Sequence, residues 1–259
     1  MTTSPVGTLL QHWRRERRLS QLRLSTEAGV TSRHVSFVES GRANPSREMV
    51  LTLARALDVP LRERNQMLLA AGYAPLYRET GLDAGELAEV RTALDRMLAH
   101  HEPYPAVVMD RHWNLVMSND SADAMFAFLL DGEHPGEPPN VVRLMFGPLR
   151  RRVTNWEQTG EALIQRVHRE AVGGIPDPAT VQLLDEVLAL PGVPARWRTP
   201  DFSSGTLPIL PVEFSGGGVE VSYFSMVTTV GTPQDITLQE IRVEAFFPAD
   251  ERTRDHRWV

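Results

Sequence analysis

Histidines, carboxylates, serines and arginines are the side chains in this sequence with chemistry to offer, and their spacing limits what that chemistry is. His100 and His101 are adjacent, and neighbours on a helix point in different directions. His112 stands apart from them, and no His-Glu-x-x-His spacing puts two histidines on one face, so no metal site is expected. The absence of cysteine removes thiolate ligands, a cysteine nucleophile and disulfides. Serines are plentiful, but none lies in a Gly-x-Ser-x-Gly elbow. Gly216-Gly217-Gly218 reads as a hairpin turn rather than a phosphate loop, because no Gly-Lys-Ser/Thr follows it. Asp185-Glu186 falls in a helical pattern typical of a solvated face. No catalytic residues, no metal and no cofactor are expected.

Arginine is left as the dominant chemistry. All 27 basic residues are arginine, set against 33 acids, for a net charge of −6. The distribution is uneven: residues 1–66 hold 11 arginines and 6 acids, and the remainder holds 16 arginines and 27 acids. A basic head on an acidic chain points to a polyanionic partner for the head. Alternatively, the arginines are only the solvated faces of helices. The apolar content of 42% is that of a folded globular protein. The apolar stretch Val6 to Leu10 is too short for a signal peptide and runs into arginines. No apolar run approaches the ~20 residues of a membrane span. A cytoplasmic protein with no membrane partner is expected.

Local signals in the head are dense. Val6 to Leu19 has Leu9, Leu10 and Trp13 on one face, with arginines elsewhere. Ser20 is a predicted N-cap for a short helix, Gln21 to Ala28, which Gly29 ends. Thr31 caps a third helix, Ser32 to Ser40, closed by Gly41. Val35 and Val38 point inward, which leaves Ser32, Arg33, Ser36 and Phe37 outward. Ser46 to Asp58 and Leu61 to Ala71 give two more apolar-periodic helices. Helix, glycine turn, helix is the helix-turn-helix pattern, whose second member fits the major groove.

The segment Leu19 to Arg42, with its Ser-Gln opening, its Ala-Gly-Val turn and the Glu39, Gly41, Pro45 run, resembles the phage-repressor or Xre-type family. That resemblance implies double-stranded DNA as partner. It implies a phosphate contact for Gln21, base-edge contacts for Ser32, Arg33, Ser36 and Phe37, and backbone contacts for Arg42 and Asn44. Arg33 has the fork geometry for guanine O6 and N7. Phe37 departs from the polar residue usual in the family, and Ser25 stands where alanine is usual. The competing reading is a helical bundle that serves only as an interaction module.

Beyond the head, Gly72-Tyr73-Ala74-Pro75 stops the fifth helix. The expected domains are 1–78, a linker helix over 79–102 with Ala84 to His101 helical, and 103–259. Tyr104 to Ser118 reads as two strands around a turn at Asp110-Arg111-His112. Helices are expected over Ser121 to Leu130, Val153 to Val172 and Pro178 to Leu190, with Pro- and Gly-rich loops between. Strands are expected at Leu207 to Phe214, Val219 to Val230 and around Ile241, Val243, Ala245 and Phe247. Two strands, helices, then three antiparallel strands is a PAS-like order. The fold class is therefore α+β: an all-α helix-turn-helix bundle followed by a PAS-like domain with an antiparallel sheet. Helices closing over such a sheet can leave a ligand cavity.

Ala99 to Ala106, Arg111 to Asn119, Asn155-Trp156-Glu157, Leu190 to Pro194 and Thr228 to Asp250 resemble the MmyB-like regulators. The resemblance covers nearly the whole chain and implies a PAS-like domain with an apolar pocket suited to fatty-acid-like molecules. Bulk and polar handles nominate Arg111, Trp113, Asn119, Phe126, Trp156, Tyr223 and Phe224 as pocket residues. Arg111 or one of Arg150, Arg151 and Arg152 is the candidate partner for a carboxylate. The resulting expectation is a ligand-controlled, homodimeric DNA-binding repressor. Two alternatives are a ligand-free dimerisation module behind the same head, and a lipid-modifying enzyme fused to it.

Overall fold

The structure, a computed structural model, describes residues 4–172, 177–199 and 209–258. The chain divides into two compact units. One holds the residues up to Thr80 together with Thr232–Gln239, and the other begins at Gly81.

The first unit is a bundle of five helices: α1 (Pro5–Glu16), α2 (Gln21–Ala28), α3 (Ser32–Glu39), α4 (Arg47–Ala56) and α5 (Leu61–Ala70). Four of them start at a hydroxyl cap. Ser4, Ser20, Thr31 and Ser46 each accept a backbone N–H from three residues ahead, at 3.0–3.2 Å. The caps satisfy donors that the first helical turn leaves without partners. Gly29 ends α2 with φ +66°, a left-handed conformation cheap only for glycine. Leu10, Trp13, Leu24, Val35, Val38, Leu53 and Leu68 fill the core. Helix α1 crosses the end of α3 so closely that a Cβ on Gly7 would lie 2.5 Å from the Val38 carbonyl oxygen.

In the second unit, a 3₁₀ turn (Gly85–Leu87) leads into α6 (Ala88–His100). The helix expected as a linker thus belongs to this unit. There follow β1 (Ala106–Met109), β2 (Leu115–Ser118), α7 (Asp120–Leu130), α8 (Val141–Phe146), α9 (Trp156–Val172), α10 (Pro178–Leu188), β3 (Val212–Gly216) and β4 (Val219–Thr228). Helix α11 (Ile236–Glu240), most of which clusters with the first unit, precedes β5 (Arg242–Pro248) and α12 (Glu251–Asp255). The strands form one antiparallel sheet in the order β2-β1-β5-β4-β3, the expected PAS-like arrangement.

Five elements differ from expectation. Helices α8, α11 and α12 are too short for apolar periodicity to reveal. Helix α9 starts at Trp156 rather than Val153, because Val153 bridges to Phe214 beside β3. Within the described residues β3 starts at Val212. The expected start of that strand, at Leu207, lies outside them.

Register decides which strand residues face the helical layer. Val107 pairs with Glu244, Ser225 with Phe246 and Phe214 with Val221. Alternation then puts Val107, Met109, Glu244, Phe246, Ser225, Val212 and Phe214 on one face. Val243, Ala245, Phe247 and Phe224 lie on the other.

Candidate nucleic-acid interface and ligand cavity

In the first unit, Val35 and Val38 are fully buried, which turns the opposite side of α3 outward. Ser32 and Arg33 are exposed, Ser36 and Phe37 are half-buried, and Arg42 and Asn44 are exposed in the following loop. All seven residues expected to meet DNA therefore reach the surface of one small unit, with Gln21 half-buried at the start of α2. The guanidinium carbons of Arg33 and Arg42 lie 5.0 and 5.8 Å from the Phe37 ring centroid. Phe37 thus steadies two cations on the outward face.

Gln21 is anchored from beneath. Its amide donates to Glu39 Oε2 at 2.8 Å, and Glu39 also receives two hydrogen bonds from Arg14, at 2.6 and 2.8 Å. Glu39 is only 3% exposed. The hydrogen bond to Glu39 raises the Arg14 pKa against the opposing effect of burial. One Gln21 N–H is used in this way, and an amide nitrogen carries two. The second is available for an acceptor such as a phosphate oxygen.

The second unit contains a cavity of about 280 Å³ between the sheet and helices α7, α8 and α9. Its wall is mostly apolar, with Val107, Met109, Met125, Leu144, Leu163 and Phe246 among the lining residues. Five polar side chains interrupt it: Thr159, Arg166, Arg169, Ser225 and Glu244. Glu244 is 8% exposed, accepts from Ser225 Oγ at 2.5 Å and pairs with Arg166 at 3.2 Å. Arg169 is exposed and makes no ion pair among the described residues.

Trp113 enters the wall through an unusual backbone. Its φ is +69°, costly for a bulky residue. The turn is held by Asp110, whose carboxylate accepts from the His112 and Asn114 backbones and the Asn114 side chain at 2.8–2.9 Å. Val141 N donates to the Trp113 carbonyl at 2.9 Å. Arg166 and Arg242 each place a guanidinium carbon 4.5 Å from the indole centroid.

Of the seven nominated pocket residues, Trp113 and Phe126 line this cavity. The other five do not. Arg111 pairs with Asp177 at 3.3 Å and Glu240 at 3.0 Å. Asn119 caps α7, its oxygen accepting from Ala106 N and Ala122 N. Trp156 packs against Phe146 and Trp197, with Arg150 over its ring. Tyr223 is core, its hydroxyl accepting from Trp258 Nε1 at 3.0 Å, and burial raises its pKa. Phe224 stacks on Phe247, on the face turned away from the cavity. The arginine triplet is also committed elsewhere: Arg150 to the Pro191 and Gly192 carbonyls, Arg151 to Glu133 and Arg152 to Asp131.

Against known families, residues 90–258 match the MmyB-like transcription regulator ligand binding domain. The chain belongs to the MmyB-like transcription regulators. Residues 10–64 of this regulator match the helix-turn-helix family, so a DNA-binding unit and a ligand-binding unit share the chain. Both are regulator families rather than enzyme families. A curated relative, multiprotein-bridging factor 1 of Candida albicans, is 37% identical over 60 residues, which is 23% of this chain and 40% of that protein. A solved structure described as an RNA-binding light-oxygen-voltage receptor aligns over 96% of this chain and 61% of its own. Its identity is 13% and its TM-score 0.30, too low to carry an argument. The chain spans less than two thirds of either protein. No helix among the described residues is long and apolar enough to cross a membrane.

For the MmyB-like regulator, the cavity residues that sequence reasoning missed are Thr159, Arg166, Arg169, Ser225 and Glu244. A signal for one of them was present. If Val243, Ala245 and Phe247 share a face, Glu244 and Phe246 must share the other. Arg166 and Arg169 gave no comparable signal among so many helical arginines.

Proposed function

We propose that this regulator is a cytoplasmic, homodimeric repressor whose operator affinity responds to an apolar carboxylate, such as a fatty acid, held in the second unit. The cavity carries this reading: about 280 Å³ of mostly apolar wall with cations at one side. Ligand pockets are typically about 300–1,000 Å³ and carry a few placed polar groups. A dimerisation module with a filled core has no need of such a space. Arg166 is engaged by Glu244, so the exposed Arg169 is the cation open to a ligand carboxylate. The acid stays partly hydrated there while the chain is buried.

On the DNA side, two copies of α3 would read half-sites about one turn (~10 bp) apart. Gln21, Arg42 and Asn44 would hold the backbone, and Ser32, Arg33, Ser36 and Phe37 would face the bases. Ligand shifts operator affinity only to the extent that it binds two conformations unequally.

Two measurements test the reading. Denaturing the purified protein and identifying released small molecules by mass spectrometry should yield a stoichiometric apolar carboxylate. Fatty acids that neither co-purify nor bind when titrated would refute the ligand class. In operator titrations, Arg33→Ala should cost about 5- to 150-fold in specific binding, and Gln21→Ala should weaken all sequences alike. Equal operator affinity for the wild type and the double variant would refute the assignment of α3.

A further inference from the structure

The cavity has a neighbour. A groove of about 610 Å³ runs along β2, lined mainly by Leu115, Val116, Met117, Ala127, Leu130 and Pro139. Strand β2 is an edge of the sheet and pairs with β1, whose Val107 and Met109 line the cavity. Two side chains, Phe126 and Leu144, belong to the walls of both spaces. Leu144 is 2% exposed and fixed in the core, whereas Phe126 is only partly buried. The larger and freer part of the partition is therefore the Phe126 ring.

We infer that Phe126 is the specificity-determining residue for ligand length, and that the β2 groove receives the end of any apolar chain too long for the cavity. This rests on the proposed ligand class. The occupant follows from the shared wall: apolar residues line most of the groove, with Ser118, Asp123, Glu133 and His134 as its polar members, and its volume exceeds that of the cavity. A straight chain meets the ring edge once the cavity is full. With the ring in place, further methylenes stay in water and add nothing to affinity. With the ring removed, they lie along Leu115, Ala127 and Leu130.

The test uses straight-chain saturated fatty acids from octanoate to stearate, titrated calorimetrically into delipidated full-length protein. Each buried methylene tightens binding by about fourfold. In the wild type the gain should stop at one chain length. In Phe126→Ala it should continue for at least two further methylenes, about 15-fold in all. Adding Ala127→Phe, a change at an exposed groove residue, should return the break to the shorter chain. Phe126→Leu, which keeps a packed side chain, guards against a folding defect and should move the break less far. A break at the same length in the wild type and both Phe126 variants overturns the partition alone. If no chain binds the wild type or either variant while all melt cooperatively, the ligand reading falls and the partition falls with it.

Discussion

Replacing Glu39 with glutamine is the most informative single change in the DNA-binding unit. Glu39 is 3% exposed, and the Arg14 side chain is 12% exposed. The carboxylate receives two hydrogen bonds from Arg14 and one from Gln21, all at 2.6–2.8 Å. Glu39→Gln keeps the shape, removes the charge and turns one acceptor into a donor aimed at Arg14 or Gln21. Arg14 is then a nearly buried cation that has lost its counter-charge and one acceptor, left with the retained amide oxygen and the Leu19 carbonyl at 2.8 Å. Removing one partner of a buried pair costs about 3–5 kcal/mol. For a unit of this size, 3 kcal/mol corresponds to a fall in melting temperature of roughly 12–24 °C. Differential scanning calorimetry of the full chain, followed as the transition of the helical unit, reads it directly. Arg14→Met combined with Glu39→Met should recover more than half of the loss, because apolar replacement of both partners is often neutral. A Glu39→Gln cost below about 1 kcal/mol would refute the reasoning and class the pair with solvated surface bridges.

Other changes probe other joints. Gly7→Ala puts a Cβ 2.5 and 2.8 Å from the Val38 and Glu39 carbonyl oxygens, both backbone atoms. It should cost about 1–3 kcal/mol as α1 is pushed off α3, read by urea denaturation. For Asp177, burial raises the carboxyl pKa, but hydrogen bonds from Thr180 and the charges of Arg111 and His112 outweigh it and leave the pKa lowered. A depressed carboxyl stabilises above its unfolded pKa and loses that contribution as pH falls through the folded one. Thermal melts of the second unit should therefore drop as pH falls below about 4, and Asp177→Asn should flatten that drop.

How much of this was legible in the sequence depended on range. The helix-turn-helix could be read because its instructions are local: Ser20 and Thr31 cap within three residues, and Gly29 ends α2 at its own φ. The PAS-like strand order was legible from alternation and glycine turns. The cavity was not, because its wall is assembled from distant segments by sheet register and by the packing of α9. Arg111 sits two residues from Trp113, yet Asp177 and Glu240, far along the chain, claim its guanidinium. Bulk alone makes Tyr223 and Phe224 both pocket candidates, although neighbours on a strand must face opposite sides. There, the alternation in the sequence outweighed the appeal of two aromatic rings.

Segment 232–239 ties the two halves of the problem together through the covalent chain. Ser225 on β4 and Glu244 and Phe246 on β5 line the cavity, and the stretch between these strands passes through Thr232–Gln239. That stretch packs with the first eighty residues. Ile236 N donates to the Arg78 carbonyl at 2.8 Å, and Thr80 N donates to the Asp235 carboxylate at 3.2 Å. Leu61 N donates to Gln239 Oε1 at 2.6 Å. Helix α5 begins after Pro60, which offers no side-chain cap, so Gln239 supplies the missing acceptor from elsewhere in the chain. Gln239→Ala leaves that N–H to water or unpaired, at a cost of about 1 kcal/mol. The first unit should melt roughly 4–8 °C lower, with faster hydrogen exchange at Leu61. If the segment also carries ligand state between the strands and α5, the same variant should reduce the effect of ligand on operator affinity. Reciprocity requires an equal reduction in the effect of operator on ligand affinity. Unchanged exchange at Leu61 would refute the cap. A ligand effect on operator affinity that Gln239→Ala leaves unchanged would refute the link.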